Sequence, residues 1–220
     1  MIKGIIFDFD GLICDTETPE LKAWGELFAE YDQPFPLNEY LKTIGSIYND
    51  DKPVLILKEL VDFPIDAEKL TSDFLVLKRK LMDQEPLRPG VLSYLHKAKQ
   101  GGFKLGLASS APDEWVIHHV NRLGIIHFFD CIKTSEDVKK TKPDPELYIR
   151  TLKCMQVFPH EAIALEDSPN GINAAIQAGV NVVAVPNSVT RIFNFDSADL
   201  VVDSLEDLCF EDLLTHFNLI

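Results

Sequence analysis

The chain has 220 residues, 46% hydrophobic and 25% charged, a balance that suits a packed globular protein and excludes intrinsic disorder. Thirty-five acids against twenty-one bases give a formal net charge of −14, which excludes nucleic acid and anionic membranes as partners and favours small molecules or cations. The opening run MIKGIIFDFD is too short for a signal peptide and no later segment approaches a membrane span, so a soluble, cytoplasmic monomer is expected. Cys14, Cys131, Cys154 and Cys209 are scattered without C-x-x-C spacing. They signal neither a zinc site nor a disulfide framework, which suits a reducing compartment.

In chain order, Gly4–Phe9 is a short, almost continuously apolar run, the pattern of a strand buried on both faces. No strand signal follows until well past Pro86. Between them the periodicity is helical, as in Leu21, Trp24, Leu27, Phe28 and Tyr31, or Ala67, Leu70, Phe74, Leu77 and Leu81. A crossover between parallel strands needs only about a dozen residues. The longer stretch is therefore expected to be an inserted all-α subdomain, residues 17–86, entered after Thr16 and left near Pro86–Gly90. Residues 1–16 and 87–220 would form the core.

From there helices and strands alternate. Helices are expected at Val91–Gln100, Glu114–Leu123, Pro145–Cys154 and Pro169–Ala178, and strands at Phe103–Ala108, Ala162–Glu166, Val182–Val185 and Leu200–Val202. Asp144 and Ser168, each followed by proline, are expected N-caps. The small residues of Asn170–Gly179 would let a helix approach a sheet closely. The fold class is thus α/β, a doubly wound parallel sheet with helices on both faces.

Ligands in such sheets bind beyond the carboxyl ends of the strands. Those ends carry Asp8 and Asp10, then Ser109 and Ser110, then Glu166 and Asp167, with Lys142 just ahead of a helix start. Convergent carboxylates repel, by roughly 4 kcal/mol for a pair about 4 Å apart at an effective dielectric of about 20. A divalent cation removes that repulsion, and hard oxygen ligands suit Mg²⁺. The serine hydroxyls, backbone N–H groups and Lys142 describe a phosphate cradle. Acid, metal and cradle together point to phosphoryl transfer.

Four segments, DFDGLICDT, LASSA, KKTKPDPELY and ALEDSPNG, resemble in order the four motifs of the haloacid dehalogenase superfamily of phosphohydrolases. The helical insertion after the first motif resembles the mobile cap of its β-phosphoglucomutase-like subfamily. The resemblance implies a core of the Rossmann-like kind and makes Asp8 the nucleophile that becomes an aspartyl-phosphate. Asp10 would be the general acid and base. Ser109 and the Ser110 backbone would hold the phosphoryl oxygens while Lys142 neutralises them. Mg²⁺ would rest on Asp8, the Asp10 carbonyl and Asp167, with Glu166 close by. Asp15 reads as a turn or capping residue, and His118, His119 and His127 as structural or exposed.

Mutases of the subfamily carry a histidine at the start of the first cap helix and an arginine in the first cap loop. This chain has Glu20 and Ile44–Asp50 (IGSIYND) there, and Asp113 where mutases often place asparagine. Hydrolysis of a small phosphorylated metabolite is therefore expected, with a sugar-phosphate mutase as the alternative. A phospho-acceptor signalling domain fits less well, because such domains lack so large an insertion. A dehalogenase would not need the metal. Leu77–Leu81 (LKRKL) offers cations that could meet a distal anion or simply face water.

Overall fold

The computed structural model describes residues 1–41 and 52–218. Two compact units emerge, Met1–Asp15 together with Pro86–Ile220, and Thr16–Glu85.

The first unit is built on six parallel strands: β1 (Gly4–Phe7), β2 (Lys104–Ala108), β3 (Cys131–Lys133), β4 (Ala162–Glu166), β5 (Asn181–Ala184) and β6 (Leu200–Val201). Their order is β3-β2-β1-β4-β5-β6. Strand order reverses between β1 and β4, which makes the crevice at their carboxyl ends the switch point of a doubly wound sheet. Gly4 pairs with Lys104 on one side and Ala162 on the other, so the ends of β1, β2 and β4 lie level with one another.

The second unit contains α1 (Glu17–Ala29), α2 (Leu37–Leu41), α3 (Lys52–Leu60) and α4 (Ala67–Met82). Its core gathers Ala23, Trp24, Leu27 and Phe28 with Leu57, Leu70 and Phe74, and Trp24 stacks on Phe74 with ring centroids 4.1 Å apart. Leu77 and Leu81 pack against this core while Lys78, between them, pairs with Glu20. The segment Ile44–Asp50 lies outside the described residues.

Five further helices belong to the first unit: α5 (Val91–Gln100), α6 (Asp113–Arg122), α7 (Glu146–Met155), α8 (Pro169–Gln177) and α9 (Phe210–Asn218). On one layer Leu147, Leu152 and Met155 of α7 meet Ile172, Ala174 and Ala175 of α8 over Ile6, Ala164 and Val182. Small side chains permit this closeness. A Cβ on Gly106 would sit 2.5 Å from Thr151 Cγ2, so α7 rests directly on β2. On another part of the unit Tyr94 of α5 meets Phe210 of α9 edge to face and donates its hydroxyl proton to the Leu208 carbonyl at 2.7 Å.

Beyond one-residue shifts at the ends of several elements, the structure differs from the sequence reading in four respects. First, β1 ends at Phe7 rather than Phe9. Asp8 N–H still donates to Leu165 O at 3.0 Å, but Phe9 O accepts from Ile13 N–H and the chain turns. Second, the edge strand β3 carries no sequence signal, since three residues are too few for a period. Third, Pro145 takes the cap position of α7, and Asp144 instead accepts from Glu146 N–H at 3.0 Å. Ser168 does cap α8, accepting from Gly171 N–H at 3.1 Å. Fourth, Cys131 and Cys154 form a disulfide between β3 and α7, their Cα atoms 6.1 Å apart. They stand 23 residues apart in sequence, and only the packing of α7 beside β3 brings them together. Among the described residues no helix is long and apolar enough to cross a membrane.

Candidate active site

Asp8, Glu166 and Asp167 meet at the switch point because β1 and β4 are neighbours in register. All three are buried, and each offers a carboxylate oxygen within 4.8 Å of the others'. Lys142 enters from the segment ahead of α7. Its ammonium lies 2.6 Å from Asp8 Oδ1 and 2.7 Å from Glu166 Oε1, and donates to the Ala108 carbonyl at 2.7 Å. Only 6% of the lysine side chain is exposed, so all three of its protons need such acceptors. Burial alone would lower its pKa, but the charges of Asp8 and Glu166 outweigh this and hold it above its ordinary value.

Glu166 is enclosed. Oε1 also accepts from the buried Tyr148 hydroxyl, while Oε2 has no hydrogen-bond partner among the described residues. Burial, then the nearby Asp8 charge, pushes its carboxyl up to about 7 against the pull of Lys142 and Tyr148. Burial, followed by the charges of Glu166 and Asp8, also lifts the Tyr148 phenol well above its usual range. Tyr148 is therefore a donor at neutral pH, suited to fixing a carboxylate.

Asp167 Oδ2 accepts from Asn187 Nδ2 at 2.8 Å, and Asn187 Oδ1 accepts from Val189 and Thr190 N–H. Arg88 Nη1 donates to the carbonyls of Gly11 and Val185, and Nη2 donates to that of Pro186 at 3.0 Å. The turn after β1 is thereby tied to the end of β5. Gly11 makes this turn at φ +76°, and a Cβ there would lie 2.2 Å from Asp167 Oδ2.

Asp10, half-buried beyond the end of β1, accepts from Ser109 Oγ at 3.2 Å and from Trp115 Nε1 at 3.0 Å. Phe9, between the two aspartates, is fully buried and faces the His119 ring. Ser109 is buried too, and its Oγ accepts from Ala111 N–H at 3.0 Å; Ser110 is exposed. Pro112 occupies the cap position of α6. His119 is fully buried, whereas His118 and His127 are exposed, and Asp113 is an exposed first residue of α6. Asp15 is half-buried.

Asp8, Asp10, Ser109, Lys142, Glu166 and Asp167 thus share one sheet edge. Sequence reasoning missed Tyr148, Asn187, Arg88 and Trp115. Asn187 was within reach, because it lies just past the carboxyl end of β5, where ligands are sought. Tyr148 sits six residues after Lys142 at the end of KKTKPDPELY, yet aromatic residues in a helix usually read as core.

The donor set is hard oxygen, buried, more negative than one lysine offsets, and includes the orphaned Glu166 Oε2. It fits a small divalent cation. The space is closely fitted: a Cβ on Gly171 would fall 1.9 Å from Glu166 Oε2. Gly171→Ala is expected to destabilise the protein by about 1–3 kcal/mol, read as a lower urea midpoint. Gly25→Ala in α1, where nothing lies within 4 Å of the added carbon, should not lower it.

Fold and site together define an α/β enzyme with acids converging at the switch point of a doubly wound parallel sheet. The family model of haloacid dehalogenase-like hydrolases matches residues 5–185. The chain is 41% identical over 218 residues to YhcW of Bacillus subtilis (strain 168), covering 99% of each. It is 30% identical over 182 residues to the phosphorylated carbohydrates phosphatase of Thermotoga maritima, covering 81% of this chain and 82% of that one. The structure of β-phosphoglucomutase from Clostridium difficile superposes with a TM-score of 0.75 at 31% identity, covering 99% of this chain and 98% of the other. The chain belongs to the haloacid dehalogenase-like hydrolase family.

Proposed function

We propose that this enzyme is a Mg²⁺-dependent phosphatase that removes phosphate from a small phosphorylated metabolite, such as a sugar phosphate, through an aspartyl-phosphate on Asp8. The observation that carries this reading is the buried Lys142 ammonium between Asp8 and Glu166. It leaves one Asp8 oxygen oriented and supplies fixed positive charge where phosphoryl oxygens would gather.

An Asp8 carboxylate oxygen attacks phosphorus in line, the bond from phosphorus to the ester oxygen breaks, and the Asp10 carboxyl gives its proton to the departing oxygen. In the second half Asp10, now ionised, takes a proton from a water that attacks the phosphorus of aspartyl-phosphate. Inorganic phosphate leaves and the Asp8 carboxylate is restored. Ser109 and the Ser110 N–H bind phosphoryl oxygens, and Lys142 offsets their charge. Asp8, the Asp10 carbonyl and Asp167, with Glu166 beside them, would hold the cation, whose contribution when bound is charge stabilisation on the transferring group. Tyr148 and Asn187 orient Glu166 and Asp167. The helical unit Thr16–Glu85 is assigned the selection of the substrate.

The similarity to β-phosphoglucomutase favours a second reading, a sugar-phosphate mutase. Against it, Glu20 stands where the mutases have histidine, and its carboxylate accepts from Tyr40 and from Lys78 Nζ at 2.5 Å. A panel of phosphate esters assayed with Mg²⁺ and then with EDTA tests the proposal. Metal-dependent release of inorganic phosphate is expected; absence of metal-dependent turnover would sink it. ³¹P NMR of the products separates the readings, since a mutase would interconvert sugar 1- and 6-phosphates and release little phosphate.

A further inference from the structure

We propose that Trp115 is a positioning residue that fixes the orientation of Asp10 during proton transfer, an inference that rests on the phosphatase reading above. Asp10 lies past the end of β1, where its backbone forms an isolated bridge to Cys14. A half-exposed carboxylate in a turn rotates freely unless its oxygens are held. The two oxygens receive separate donors: Oδ2 takes the Ser109 hydroxyl at 3.2 Å and Oδ1 takes the Trp115 indole N–H at 3.0 Å.

Indole is a donor only and does not titrate in the working range. It can therefore hold the carboxyl group through both halves of a reaction without competing for the proton. A serine hydroxyl, which both donates and accepts, cannot be so one-sided. Trp115 is itself braced. Its ring meets His119 edge to face at 4.3 Å; His119 is fully buried, accepts from Arg122 Nε at 3.2 Å, and stacks against Phe9, the neighbour of Asp10. The donor thus stands on α6, a regular helix, rather than on the loop that precedes it, and supporting groups on rigid elements give the tighter geometry.

The test separates positioning from bulk structure. In Trp115→Phe the ring is largely retained and the N–H is lost. On an alkyl phosphate, whose leaving oxygen needs Asp10's proton, kcat is expected to fall by on the order of tenfold to a hundredfold with little change in KM. On a nitrophenyl phosphate, whose leaving group departs as a stable anion, the fall should be several times smaller. Equal losses on both esters, or none, would overturn the proposal. A second measurement does not depend on turnover or on that variant folding. The chain has two tryptophans, so its ¹H–¹⁵N spectrum holds two indole signals, assigned through Trp24→Phe. Asp10→Asn should move the Trp115 signal and leave that of Trp24 in place; an unmoved Trp115 signal refutes the contact. A wild-type chain that hydrolyses no ester defeats the phosphatase reading instead, and the spectrum still decides whether Trp115 holds Asp10.

Discussion

Asp8→Asn is expected to lower the turnover of every ester that the wild type hydrolyses by on the order of 10⁴-fold or more, because the amide oxygen cannot replace the attacking carboxylate. The fold should survive. Asparagine keeps the volume and an acceptor for the Asp8 end of the ion pair, and Lys142 retains Glu166 Oε1 and the Ala108 carbonyl. After burial, the Asp8 charge is the largest influence raising the Glu166 carboxyl. Removing it lets Glu166 ionise more readily, so the lysine remains compensated. A thermal melt by circular dichroism close to that of the wild type, beside phosphate release lost in the same sample, is the expected pair of results. A variant as active as wild type would remove Asp8 from the nucleophile's role, and with it the proposed mechanism.

How much of this was legible in the sequence depends on whether the information is local. The strand β4 reads correctly at Ala162–Glu166 because five consecutive buried residues leave an unbroken apolar run ending in acid. The doubly wound class follows from the alternation of such runs with helices. Asp8, Asp10, Ser109, Lys142, Glu166 and Asp167 could be named in advance because each lies at a strand end or just ahead of a helix, positions that the fold sends to one edge. What failed was non-local. The strand β3 exists because Gly106, Leu107 and Ala108 offer it a partner ladder, not because Cys-Ile-Lys favours extension. The Cys131–Cys154 disulfide needs α7 laid beside β3. Asn187 acquires its place from a loop that folds back so that its amide reaches Asp167, and Trp115 from the turn of α6 that aims an indole at Asp10. In sequence, both look like ordinary loop and helix residues.

The Glu166–Lys142–Asp8 arrangement makes a second large effect predictable. Lys142→Met removes an ammonium that contacts two buried carboxylates, and breaking a buried pair from one side typically costs about 3–5 kcal/mol. The wild-type lysine has a raised pKa, so its stabilisation is complete below its ordinary value of 10.5 and is lost only as pH rises through the higher folded value. Across the neutral range the wild type therefore keeps the full benefit. The variant has one escape, protonation of Glu166. In the wild type that carboxyl is raised from 4.5 to about 7, and without the lysine it rises further. Stability that depends on a raised acid is complete below its unfolded pKa and lost as pH rises through its folded pKa. In EDTA, Lys142→Met should accordingly be destabilised by several kcal/mol at about pH 8.5 and distinctly less at about pH 6, measured by urea unfolding at both. Adding Glu166→Gln should return much of the loss at the higher pH, because a neutral amide needs no counter-charge. Equal destabilisation at both pH values would mean that Lys142 acts through packing alone. Turnover should be lost in the single and the double variant alike, since recovered stability restores no positive charge beside Asp8.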